Sequence, residues 1–172
     1  GGVAGGATTA ARIRRVDETA EIILLEKGKY ISYANCGLPY YIGGVIEERD
    51  KLFVQTPEAF STRFRVDVRI FIDRKRKTVT IRQSSEDTYE ESYDKLVIST
   101  GASPVRPPLP GIDLSGIFTL RNVTDTDRIK EYIKSHAPRK AVIVGAGLSV
   151  GKWRKTYIHR ERKCRLWKWA IK

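Results

Sequence analysis

Apolar residues in this chain fall into short runs between polar and glycine-rich breaks, and their period changes from run to run. Residues 6–15 (GATTAARIRR) are rich in Ala and other small residues, which favour a helix packed closely on a sheet. Residues 21–26 (EIILLE) form a compact apolar run and predict a strand ending in an acid. Residues 38–42 read as a short helix. Thr56, Pro57 and Glu58 supply an N-cap, a first-position proline and a first-turn acid, so a helix is expected from there to about Phe64. Residues 66–72 and 78–82 alternate with the period of strands, and residues 88–93 are placed to return as a hairpin partner of the second. Residues 95–99 (KLVIS) predict a buried strand, and residues 104–110 a proline-rich connector. Ile129, Tyr132 and Ile133 lie at helical spacing within an amphipathic segment, residues 125–135. Residues 140–147 (KAVIVGAG) predict a buried parallel strand opening a glycine-rich turn.

This alternation predicts an α/β fold: a Rossmann-like parallel sheet with an inserted antiparallel hairpin, then the start of a second Rossmann unit. A chain of 172 residues is long enough for one buried core and part of another. No apolar run spans a membrane and no leader pattern is present, so a soluble, cytoplasmic protein without a membrane partner is expected. Two cysteines, Cys36 and Cys164, do not make a disulfide framework.

The net charge of +12 raises the question of nucleic acid, but its distribution points elsewhere. Residues 151–172 hold nine Lys/Arg against one Glu, and residues 1–150 hold 23 against 19. All three Trp lie in that last segment. The pattern is an ordinary domain with a basic ending. A non-enzymatic polypeptide binding nucleic acid through residues 152–172 is the alternative from a different class.

The chemistry concentrates in four places. Gly1, Gly2 and Gly6 form a glycine-rich opening, with Val3 where a plain G-x-G-x-x-G would have its second glycine. Such a turn lets backbone N–H groups and a helix N-terminus face a pyrophosphate. Glu26 follows Gly6 by twenty residues, the spacing at which a carboxylate accepts hydrogen bonds from a ribose. Thr100, Gly101 and Ala102 follow the KLVIS run. Gly145 and Gly147 begin a second dinucleotide turn whose third glycine is replaced by Val150. Cys36 lies in SYANCGLPYYIGG at the start of a helical segment, where a helix N-terminus or nearby cations would favour its thiolate. No second Cys follows within a few residues, which leaves a mixed disulfide with a small thiol or a sulfenic acid as its redox forms. No metal site is expected.

Taken together, residues 1–147 resemble the one-cysteine branch of the FAD-dependent pyridine nucleotide-disulfide oxidoreductases, most nearly the coenzyme A-disulfide reductases. The resemblance implies FAD and NAD(P)H as cofactors, with NAD(P)H electrons reaching a Cys36–coenzyme A disulfide by way of FAD. It assigns FAD contacts to the first glycines, Glu26 and Thr100–Ala102, and NAD(P)H contacts to Gly145 and Gly147. It assigns coenzyme A contacts to Thr8, Arg12, Arg15, Ser32 and Asn35. The arginines suit a multi-phosphate anion, because guanidinium binds phosphate by forked hydrogen bonds. A further basic position expected near Phe64 is apolar here, although Arg63 adjoins it. The resemblance also implies a homodimer in intact relatives. A close rival within the branch is an NADH oxidase or peroxidase with Cys36 as a sulfenate.

Both ends depart from this pattern. There is no Met, and the chain starts on its glycines, so a first strand is expected to be missing. The segment between the strands near Phe71 and Asp73 is shorter than in the family, and part of a strand beside the flavin adenine is expected to be absent. After Gly147 the helical period disappears. Back-translating the tail with free third-base choices and restoring one T before it can give FIGWEMAENLHPQGKKVSFVEMGNQ, which would complete the turn and add a helix and a strand ending in Glu. The expected organisation is therefore an FAD-binding domain over 1–115, the start of an NAD(P)-binding domain over 116–147, and an out-of-frame basic tail over 148–172. An inactive fragment is the expected molecular state.

Overall fold

The computed structural model describes residues 1–54, 71–82, 87–144 and 163–167. The chain divides into two compact units. One comprises Gly1–Tyr33 and Phe53–Ala102; the other comprises Ala34–Leu52 and Ser103–Lys172.

The first unit opens with α1 (Gly5–Val16), close to the expected helix. Ala7 and Ala10 are buried, three residues apart on one face. The last turn carries Arg14 and Arg15, which complement the negative end of the helix dipole. Asp17 then leaves helical geometry, and its Oδ1 accepts from Thr19 Oγ1 at 2.7 Å, Thr19 N–H at 2.9 Å and Ala20 N–H at 3.1 Å. These bonds, the Thr19 hydroxyl first, hold the Asp17 carboxyl below its usual value.

An antiparallel sheet follows in the order β1 (Phe71–Asp73), β2 (Thr78–Arg82), β3 (Thr88–Ser92). This is the expected hairpin with one further strand. In β2 the period-two pattern buries Val79 and Ile81, and Leu25, Ile72, Tyr93 and Leu96 pack against them. Asp73 Oδ1 turns the chain between β1 and β2 by accepting from Lys75 and Arg76 N–H, each at 2.9 Å.

Two expected strands are not strands. Residues 21–26 and 95–99 form no ladder, although Leu24 is buried. Val97 and Ile98 are exposed, which contradicts a buried KLVIS strand. Strand geometry needs a hydrogen-bonded neighbour, and apolar composition alone does not provide one. The helix expected from Thr56 and the first residues of the 66–72 strand lie outside the described residues.

In the second unit a 3₁₀ turn (Asn35–Gly37) leads into α2 (Leu38–Gly43), which Gly44 ends in the left-handed conformation at φ 81°. A second 3₁₀ turn spans Arg49–Leu52. The main helix is α3 (Val123–His136), which begins two residues before the expected start. Asn122 Oδ1 accepts from Asp125 N–H at 2.8 Å, and Asp125 Oδ2 accepts from Asn122 N–H at 3.2 Å. This reciprocal capping box explains the earlier start. Val123, Thr126 and Ile129 are the buried stripe of α3.

The strand β4 (Lys140–Val144) forms as expected but is not buried, since Val142 and Val144 are largely exposed. It pairs in parallel with β5 (Lys163–Trp167), from Lys140 opposite Lys163 to Val144 opposite Trp167. Residues 148–172, which lack a helical period, thus contribute a strand.

Ile81 is fully buried at the centre of the antiparallel sheet's core. Ile81→Ala is expected to cost about 2–5 kcal/mol, measured by denaturant unfolding of this chain against the unchanged one.

Candidate functional site

The glycine-rich turn is built by close backbone approach. A β-carbon on Gly1 would strike the Ser99 carbonyl oxygen, and one on Gly6 would strike the carbonyl oxygen of Gly1. On Gly5 it would lie 2.5 Å from Ser99 Oγ, and on Gly2 2.9 Å from both Leu24 Cδ2 and Ile31 Cγ2. Gly1 and Gly6 meet main-chain carbonyls and therefore need glycine, whereas Gly5 and Gly2 face side chains that would crowd a β-carbon. The approach also brings the end of the 95–99 segment onto the turn, directly ahead of Thr100, Gly101 and Ala102. Those three residues are exposed, and Gly101 has φ 71°.

Glu26 meets the same turn. Its Oε2 accepts from Gly2 N–H at 2.6 Å and its Oε1 from Gly28 N–H at 2.8 Å. Ser32 N–H donates to the Gly2 carbonyl at 3.0 Å, and the Ser32 carbonyl accepts from Val54 N–H at 2.7 Å. These two bonds hold Ser32 at φ 45°, a region that disfavours side chains. The N-terminus of α1 has no side-chain cap. Its first N–H groups have no partner within the helix and carry the positive end of its dipole. Thr8, Arg12 and Arg15 share one exposed face of α1, being four and three residues apart.

The remaining site residues lie in the second unit. Cys36 is a free, exposed cysteine in the Asn35–Gly37 turn. Gly37 beside it is buried, and a β-carbon there would press on Leu52 Cδ2 at 3.2 Å and Ile46 Cδ1 at 3.3 Å. Ala34 N–H donates to the Leu52 carbonyl at 2.8 Å, and Gly37 N–H to the Ala34 carbonyl at 2.8 Å. Among the described residues, Asn35 Oδ1 is buried without a hydrogen-bond partner. A buried acceptor of this kind carries a desolvation cost that a ligand's donor would relieve.

The elements flanking Cys36 are both tied to α3. Arg49, in the turn ending at Leu52, makes a forked bridge to Asp127: Nη2 to Oδ2 at 2.8 Å and Nε to Oδ1 at 3.1 Å. Lys130, one turn further along α3, lies 3.5 Å from the Tyr41 ring centroid and donates to the Tyr41 carbonyl at 3.4 Å. Burial, and then the Asp127 charge, push the Tyr41 hydroxyl pKa upward.

The sequence reading overlooked Gly5, Ser99 and Gly28. Gly5 had a signal in the paired glycines at 5 and 6, whereas Ser99 had none. Gly145 and Gly147 lie outside the described residues; only β4, which leads to them, is described. Among the described residues no three His, Cys, Asp or Glu are grouped to hold a metal ion. No described helix is long and apolar enough to cross a membrane.

Residues 1–150 match the pyridine nucleotide-disulphide oxidoreductase family. The chain belongs to that family. Members and structural neighbours are enzymes that bind FAD and NAD(P)H. The coenzyme A disulfide reductase of Staphylococcus haemolyticus is 45% identical over 154 residues, covering 86% of this chain and 34% of that protein. Among solved structures, reduced CoADR-RHD from Bacillus anthracis superposes with a TM-score of 0.89 at 49% identity, over 96% of this chain and 31% of that one. The water-forming NADH oxidase of Lactobacillus brevis gives a TM-score of 0.86 at 26% identity, over 96% of this chain and 38% of that one. The chain thus spans about a third of the curated relatives it matches. These likenesses bear out the α/β, Rossmann-like fold expected from the sequence.

The glycine cradle, the uncapped α1 N-terminus and the Glu26 carboxylate fit the pyrophosphate and ribose of FAD. Gly6→Ala would force the turn away from the Gly1 carbonyl. The variant is expected to weaken FAD binding by at least about tenfold, a loss of roughly 1.4 kcal/mol, read by flavin fluorescence titration with unchanged circular dichroism as the control.

Proposed function

We propose that this chain is the N-terminal part of an FAD-dependent NAD(P)H:disulfide oxidoreductase that uses Cys36 as its single redox cysteine and takes coenzyme A disulfide. The observation that carries the reading is the Asn35–Cys36 pair: an exposed thiol beside a buried amide oxygen that lacks a donor. Membership of the family and the similarity to coenzyme A disulfide reductases support it.

In this reading the Cys36 thiolate attacks one sulfur of coenzyme A disulfide. The S–S bond breaks, a mixed disulfide forms on Cys36, and the first coenzyme A leaves as a thiolate that takes up a proton. Two electrons and one further proton then release the second coenzyme A and restore the Cys36 thiolate. FAD, when bound, supplies the relay that brings those electrons from NAD(P)H. Overall, one coenzyme A disulfide, one NAD(P)H and one proton give two coenzyme A thiols and NAD(P)⁺. In this reading Thr8, Arg12, Arg15, Ser32 and Asn35 are assigned to coenzyme A contacts, the arginines by forked hydrogen bonds to phosphate. The exposed face shared by Thr8, Arg12 and Arg15 suits a large anion.

The domain division belongs to the same reading: FAD-binding over 1–115, the opening of the NAD(P)-binding domain over 116–147, and an out-of-frame tail over 148–172. The family match ends at residue 150, close to the proposed break. Cytoplasmic residence, a homodimer in the intact protein and the absence of nucleic-acid or membrane partners complete it. A second reading, an NADH oxidase or peroxidase cycling Cys36 through a sulfenate, is favoured by the likeness to the Lactobacillus brevis enzyme. The two separate on whether an intact relative with this N-terminal sequence consumes coenzyme A disulfide or peroxide.

Two outcomes are expected. The chain as it stands shows no NAD(P)H oxidation above a no-enzyme control, and steady turnover would overturn its assignment as an inactive fragment. In the protein expressed with one base restored before the tail, Cys36→Ser removes at least about a thousandfold of disulfide reductase activity, roughly 4 kcal/mol, while flavin absorbance is retained. Retained activity in that variant would exclude Cys36 as the redox group.

A further inference from the structure

Gly2 is held at three points. Its N–H donates to Glu26 Oε2 at 2.6 Å, its carbonyl accepts from Ser32 N–H at 3.0 Å, and its α-carbon packs where a side chain would meet Leu24 and Ile31. Glu26 spans from this residue to the Gly28 N–H, which its other oxygen accepts at 2.8 Å. One carboxylate therefore ties the glycine turn to the segment that follows the acid, by two short charge-assisted bonds. The turn requires such a tie. Four of the first six residues are glycine, and glycine loses the most conformational freedom on ordering.

We infer that Glu26 is the positioning residue of the nucleotide turn. Its carboxylate clasps Gly2 to Gly28 and holds the turn in binding shape before any nucleotide arrives. The inference rests on reading this turn as the cradle of the FAD pyrophosphate, and it goes beyond the role of Glu26 as a ribose acceptor. It also divides the labour within the turn. Gly2, although one of the predicted cofactor contacts, has its N–H committed to the carboxylate, so it serves the turn's shape. The phosphate donors are the uncapped N–H groups at the start of α1. A carboxylate has about four acceptor positions, so a ribose hydroxyl can donate to Glu26 while both clasp bonds persist. Preorganisation of this kind raises affinity by removing the ordering cost from the binding step.

The test uses the ¹⁵N-labelled chain without nucleotide, together with Glu26→Gln and Glu26→Asp. Glutamine keeps the length but turns an N–H₂ donor toward one of the two backbone donors. Aspartate keeps the charge but is one methylene too short to span both. In the unchanged chain the Gly2 and Gly28 amides are expected to exchange with solvent at least about tenfold more slowly than in an unstructured peptide. Each variant is expected to lose about ten- to a hundredfold of that protection at Gly2, matching the loss of one hydrogen bond to a charged group. FAD affinity should fall by a similar factor in each, with protection in α3 unchanged. A charge-only role predicts that Glu26→Asp binds FAD normally, and that result would overturn the clasp. So would a Gly2 amide that exchanges freely in the unchanged chain, a measurement that needs no variant. Weakened FAD binding in Glu26→Gln with Gly2 protection intact would reduce Glu26 to a ribose contact and also overturn it. A protected Gly2 amide in a chain that binds no FAD would support the clasp while counting against the FAD reading.

Discussion

The first unit depends on one steric constraint: backbone approaches backbone so closely at Gly1 and Gly6 that no side chain fits between them. That approach sets where α1 begins and leaves its first N–H groups uncapped by any side chain. It also brings Ser99, and with it the Thr100–Ala102 segment, to the turn. Substitution at any of these glycines costs contact geometry as well as local flexibility, because the groups to be displaced include main-chain carbonyls that cannot rotate away.

The second unit rests on a different device. The two elements that bracket Cys36, the turn ending at Leu52 and helix α2, are each anchored to α3 by a charged residue, Asp127 and Lys130 respectively. These residues are three apart on one face of α3. The cysteine loop is short, and its glycine is buried against Leu52 and Ile46. An exposed thiol is thereby carried on a packed frame. Among the described residues the buried Asn35 oxygen has no hydrogen-bond partner, and an acceptor left unpaired in this way carries a desolvation cost.

Much of this was legible in the residues, and for local reasons. The small residues of α1, the alternation of β2, the return of β3 and the apolar stripe of α3 are patterns over a few neighbours, and each produced the element it predicted. The capping box at Asn122 and Asp125 was equally legible and would have placed the start of α3 correctly. Residues 21–26 and 95–99 depart from expectation because an apolar run becomes a strand only where a neighbouring segment pairs with it. Among the described residues neither run has a ladder partner, and Val97 and Ile98 remain exposed.

By itself, then, the sequence determined the local elements, the need for glycine at the turn, the free cysteine before α2 and the family. Tertiary structure alone decided which distant groups meet. It placed Ser99 on the glycine turn, aimed both oxygens of Glu26 at backbone donors, paired β4 with the tail, and left Asn35 Oδ1 without a donor. The physical reason is range. Helical and hairpin patterns are enforced by contacts between near neighbours in the chain, whereas ladders, clasps and burial depend on segments tens of residues apart, and composition does not encode that geometry.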